Sequence, residues 1–177
     1  MNSVQIGSFH RLTIAAMVAS FDNLGKILTK AEAHAREKKI EPEALLGARL
    51  YPDMFTLIQQ LQYALYLPMD FAQHFADAPP PHVGYDEATF EDVYTSLKTA
   101  AKYLKEIPET RLAERSARIV PTFFDSTRGL SAESYAAIIV MPDFYFHLSI
   151  AYAILRHNGV PLGKQDFIGK YDSVPIG

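Results

Sequence analysis

The chain has 177 residues, 49% of them hydrophobic and 21% charged, with a formal net charge of -3, six histidines and no cysteine. That length suits one domain spanning 1–177, with a core large enough to need no covalent staple. The missing cysteines exclude disulfides, thiolate metal sites and a cysteine nucleophile, and the acidic balance argues against a nucleic-acid partner.

In chain order, the first element is a long helix over about 7–39. Ile14, Met17, Phe21, Leu24, Leu28, Ala31 and Ala35 recur at steps of three and four, which places them on one stripe. Ser8 is its expected N-cap, and Lys38 and Lys39 suit the negative end of the helix dipole. Leu12–Phe21 inside it is too short to span a bilayer and lacks the flanks of a signal peptide. A buried helix, no membrane partner and a cytoplasmic location are therefore expected.

Glu41-Pro42-Glu43 opens a short helical piece through Leu50. Pro52 then reads as the first residue of a second long helix over 52–75, with Met54, Ile58, Leu61 and Leu65 continuing the stripe. Pro68 predicts a kink or break. Pro79-Pro80-Pro81 marks a loop, after which Asp86 caps a third helix over 87–107, with Thr89 close behind. Pro108 ends it.

Ala117–Phe124 (ARIVPTFF) is β-branched and aromatic and precedes the turn formers Asp125–Gly129. It reads as an edge strand or irregular hairpin, because Pro121 cannot donate in a central strand. Ser131 caps a short helix, and Pro142 opens the last long one, 142–157, which stops at Asn158-Gly159. The remainder, 160–177, has no periodicity and predicts an extended strap or a partner contact. Four long helices without strand–helix alternation imply an all-α four-helix bundle with a short irregular β segment before the last helix.

Chemistry is sparse. Asp143 and His147 are four apart, so they stack on one helix face that also carries Ile150, Ala151 and Ile154. Buried polar groups on such a face need partners or a metal. Helix-terminal chemistry for Asp143 and a hydrogen-bonded core histidine explain the pair equally well. Asp70 and His74 share the spacing but read as a surface pair near a helix end. Phe144, Tyr145, Phe146 and Tyr152 are dense enough to wall a pocket, and packing accounts for them as well. No phosphate-loop, dinucleotide or serine-hydrolase motif occurs.

Four segments resemble a known family. KAEAHAREKKI (30–40), LLGARLYPDMFTLIQQLQ (45–62), PDFYFHLSIAYAILRHNGV (142–160) and GKQDFIG (163–169) are similar to bacterial proteins grouped as domain of unknown function 1993, within the DinB/YfiT-like superfamily. The match is loosest over 77–131. The resemblance implies a DinB-like four-helix bundle and, from superfamily habit and the long first helix, a homodimer. Typical members hold a divalent metal through a histidine on the second helix and an HxxxH pair on the fourth; some are thiol-dependent transferases or isomerases.

Aligned on AILRHNG, Asp143 and His147 fall at the HxxxH positions, so only the second histidine is kept. The second helix has no histidine, leaving Gln62 and Asp53 as neighbouring oxygen donors. A site of His147, Asp143, Asp53 and Gln62 would be oxygen-rich and favour Mn, Fe or Mg over Zn, with Ni also among the candidate metals. Equally, Asp143 simply bonds His147 and no metal is held. Two functions follow: a divalent-metal-dependent enzyme acting on a small molecule, or a metal-free ligand-binding or structural homodimer.

Overall fold

A computed structural model describes residues 9–122, 127–170 and 175–176. Among them are four long helices and one small hairpin, as the stripes require. Helix α1 starts with a π-helical stretch, Arg11–Ala15, and continues as Ala16–Lys38. The expected opening at Gly7 and Ser8 lies outside the described residues. Met17, Phe21, Leu24, Leu28, Ala31 and Ala35 are all buried on it. Lys39 closes it in the left-handed region at φ 55°, with its N–H on the Ala35 and Arg36 carbonyls.

Helix α2 is Pro42–Leu46, with proline in the first turn. Helix α3, Leu57–Ala72, starts five residues later than Pro52 suggested. Pro52 and Asp53 instead sit in an exposed turn, tied by the Met54 N–H to the Tyr51 carbonyl. The start is set by Thr56, whose N–H donates to Gln59 Oε1 at 2.9 Å, the reciprocal half of a capping box. The helix runs through Pro68 without a break and ends at Ala72. Pro68 and its neighbours Leu67 and Met69 are buried, so packing on the core outweighs the lost hydrogen bond.

Helix α4 is Phe90–Lys105, capped by Thr89 rather than Asp86. Asp92 Oδ2 accepts from the N–H groups of Thr89 and Ala88, and the Asp92 N–H returns to Thr89 Oγ1. After Pro108 comes α5, Glu109–Arg115, a helix the β-branched composition downstream had masked. Strands β1, Ile119–Pro121, and β2, Gly129–Ser131, then pair antiparallel, with Val120 opposite Leu130. Of the turn formers expected at 125–129, residues 125–126 lie outside the described residues, and Gly129 is the first residue of β2.

The last helix is a single rod, α6, spanning Ala132–His157. Ser131 caps it, its Oγ accepting the Ser134 N–H. Pro142 therefore does not open a helix. A π-helical stretch, Ala136–Val140, lies directly ahead of it; its shifted hydrogen-bond pattern accommodates a residue that cannot donate. By length and apolarity alone α6 resembles a membrane span. Part of it is buried: Phe144, Leu148, Ala151, Ile154 and Leu155 belong to the core, while Ile138 and Phe146 are exposed.

Helix α3 packs against α6 on one side and α4 on the other, and α4 packs against α1. Between α1 and α6 the contact is thin, and the strap fills the gap. Within the strap Lys164–Ile168 form the short helix α7. Asn23 donates to the Ile168 carbonyl at 3.0 Å, Lys30 pairs with Asp166 at 2.7 Å, and Phe167 meets Tyr152 edge-on. Under it lies a cavity of about 310 Å³ walled by Ala16, Ala19, Leu24, Tyr145, Leu148 and Tyr152. Small residues on α1 leave that space open.

Candidate functional site

The tight α3–α6 seam brings two segments of the chain together. His147, buried on α6, faces Gln60, buried on α3. Nδ1 of the imidazole lies 2.6 Å from Gln60 Oε1. With the amide oxygen toward the ring, Nδ1–H is the donor and Nε2 is left as an acceptor. Nε2 in turn lies 3.3 Å from Asp143 Oδ1, one turn back on the same helix. The His147 side chain is 7% exposed and that of Asp143 is 42% exposed, so the carboxylate is the solvent end of the chain.

Burial pushes the His147 pKa below its ordinary value, and the opposing pull of the Asp143 charge is the smaller effect. A neutral imidazole results at neutral pH. Its ring is stacked: Tyr63 lies 4.9 Å away at 22° and Phe55 6.3 Å away at 16°, while Phe146 meets it edge-on at 5.3 Å. Tyr63 is three residues beyond Gln60, which places both on one face of α3.

Of the expected site residues, Asp143 and His147 are together. Gln62 and Asp53 are not with them. Gln62 is two residues from Gln60, about 200° around the helix, and its Nε2 donates to the Glu87 carbonyl at 2.9 Å. Asp53 is exposed in the turn before α3. The second-helix partner is thus Gln60, which sequence reasoning missed by choosing the nearer glutamine to the expected level. Burial on the stripe separates the two: Gln60 precedes Leu61 and falls with Leu57, Ala64 and Leu67 on the core side.

Asp70 also changes partner. It is partly buried, and its Oδ2 accepts from Tyr135 Oη at 3.0 Å while its Oδ1 faces Tyr66 Oη at 3.5 Å and Gln73 Nε2 at 2.9 Å. It is a network carboxylate, not a surface partner of His74. Burial and the Asp70 charge push the Tyr66 phenol up to about 12 and raise that of Tyr135 further. The Asp143 charge also acts on Tyr135, so the two carboxylates flank one buried phenol. Of the aromatic run, Phe144 packs on Phe21 in the core, Tyr145 and Tyr152 wall the α1–α6 cavity, and Phe146 covers His147.

Residues 9–168 match the family "Domain of unknown function (DUF1993)", and the chain belongs to it. The fold is shared with a crystal structure of a DinB family member protein from Shewanella denitrificans. The likeness has a TM-score of 0.91 at 30% identity and covers 99% of this chain and 100% of that one. No curated protein matches the sequence.

Proposed function

We propose that this member of the DUF1993 family is a metal-free, small-molecule-binding DinB-like bundle whose working site is the Gln60–His147–Asp143 chain. The observation that carries this reading is the 2.6 Å contact of His147 Nδ1 with Gln60 Oε1. It occupies the second-helix approach to the imidazole with an amide that holds the ring, where the superfamily pattern needs a ligating histidine. Among the described residues no group of three His, Cys, Asp or Glu side chains comes together. Such a donor set is a poor match to the metal site that the superfamily pattern implies.

What remains is a pair of acceptors. Nε2 and Asp143 Oδ1, 3.3 Å apart, repel unless a hydrogen stands between them. A ligand bringing an N–H or O–H group to this pair satisfies both. Because burial keeps His147 neutral, Nε2 can also take that hydrogen as a general base, with the solvent-facing Asp143 stabilising the imidazolium formed. Gln60 fixes the ring orientation throughout, and Phe55, Tyr63 and Phe146 exclude water from its faces.

A second reading, a divalent cation shared by Nε2 and Oδ1, is favoured by the same 3.3 Å approach of two electron-rich atoms. Elemental analysis of untagged protein separates the two. The metal-free reading expects no stoichiometric Mn, Fe, Ni or Zn and a melting temperature that none of these, nor Mg, moves; a metal-linked rise lost in His147→Ala would replace it with the second. A cytoplasmic homodimer belongs to the same proposal. The exposed stripe of Ile138, Pro142 and Tyr145 on α6 supports it, and sedimentation of the purified chain tests it.

A further inference from the structure

A second concave surface adjoins the His147 site on the far side of Tyr63. The chain after Pro79-Pro80-Pro81 folds back against α3, and a cavity of about 440 Å³ opens between them, lined by Gln62, Tyr63, Tyr66, Gly84 and Tyr85. Within the cavity the rings meet edge to face, as Phe21 and Phe144 do in the core, while Tyr63 also stacks on Phe55 and His147 and Tyr85 on His82. Tyr63 and Tyr66 meet at 76° with centroids 6.3 Å apart, and Tyr66 and Tyr85 at 75° and 5.6 Å. Each ring thus stands nearly perpendicular to the next. Tyr63 and Tyr85 are 41% and 54% exposed.

Gly84 makes the close approach possible. At φ +85° it passes so near α3 that a Cβ would lie 2.6 Å from the Gln62 carbonyl and the Tyr66 nitrogen, so only glycine fits. Beneath it, Glu87 is 5% exposed. One carboxylate oxygen accepts the Gly84 N–H at 2.8 Å and the Ser96 hydroxyl at 2.5 Å. The other, Oε2, is buried without a hydrogen-bond partner among the described residues. On the opposite side Tyr66 donates toward Asp70, which makes its ring more electron-rich.

Perpendicular phenol rings backed by two carboxylates form the kind of surface that attracts an organic cation through its ring faces. We propose that the Tyr63–Tyr66–Tyr85 cavity is a binding site for alkylated ammonium groups, the trimethylammonium class. The ring surfaces of the three tyrosines carry this choice of class, and Glu87 and Asp70 supply long-range attraction without a contact ion pair. This site does not depend on the function assigned to His147.

Calorimetric titration with choline and with its neutral isostere 3,3-dimethylbutan-1-ol tests the charge requirement. Choline is expected to bind with a Kd below about 10 mM, and the isostere about three- to thirtyfold more weakly. Tyr85→Leu is expected to cost a similar factor for choline alone, and Tyr85→Phe to restore most of it, because phenylalanine keeps a ring face. Tyr85 is half exposed, so both variants should fold. Equal binding of choline and the isostere would overturn the proposal. So would an undiminished affinity in Tyr85→Leu, or no choline binding at that concentration.

Discussion

Gln60 and His147, 87 residues apart in the chain, meet at 2.6 Å in the seam between the second and last long helices. That contact sits in a face otherwise filled by Leu57, Leu61, Ala64, Phe144, Leu148 and Ala151, and Tyr135 donating to Asp70 forms a second polar link between the same two helices. With the amide oxygen toward the ring, the first contact makes Nδ1–H the donor, and it identifies Gln60 as the second-helix partner.

Gln60→Leu removes the acceptor and leaves Nδ1–H buried and unpaired. The expected destabilisation is about 1–3 kcal/mol, the cost of an unsatisfied buried donor. Urea unfolding followed by circular dichroism measures it. Gln62→Leu, which breaks only the bond to the Glu87 carbonyl, should cost less, about 0.5–1.5 kcal/mol. Equal losses would remove the distinction drawn between the two glutamines.

The pH dependence follows from burial. The folded His147 pKa lies below the ordinary 6.5, so the unfolded chain takes up this proton first as pH falls. The stability this group supports is full above 6.5 and declines below it, levelling only at the folded pKa. His74 shifts in the same direction, again through burial. Unfolding midpoints measured from about pH 7.5 down to about 5.5 should therefore fall. His147→Gln should flatten part of that slope and His74→Gln another part.

Tyr135→Phe deletes the hydroxyl that donates to Asp70 at 3.0 Å while keeping the ring in the core. A hydrogen bond to a charged acceptor sets the expected loss at roughly 1.5–3 kcal/mol. Thermal unfolding provides the measurement, and an unchanged melting temperature would show Asp70 satisfied without that phenol.

The strap has its own test. Gly169 sits at φ +78°, and a Cβ there would run into the Asn23 side chain, whose amide holds the Ile168 carbonyl. Gly169→Ala is expected to release α7 with little change in global stability. Limited trypsin digestion should then cut faster at Lys164 and Lys170, while the wild-type rate would mean the docking survives.

The stripes of α1, α3, α4 and α6 were legible in the sequence because helical burial repeats at three and four residues, and each stripe residue named on α1 is in fact buried. Ends were harder to read. Pro52 and Pro142 look like helix starts, yet the true starts are Thr56, held by Gln59, and Ser131, eleven residues before Pro142. Prolines mark where a donor is missing, and a capping turn or a π-helical stretch can absorb that. The site was half legible: Asp143 and His147 share a helix and needed only spacing. Gln60 needed the rotation of α3 against α6, which no local pattern carries.

The most direct test of the central claim is the ¹⁵N spectrum of the His147 imidazole in untagged protein at neutral pH. The expected result is a neutral ring with the hydrogen on Nδ1 and an unprotonated Nε2, identical with and without a strong chelator and unmoved by added Zn²⁺. A resonance at Nε2 that shifts on chelation, or a ring hydrogen on Nε2 rather than Nδ1, would contradict the account of Gln60 as the group that holds a metal-free acceptor in place.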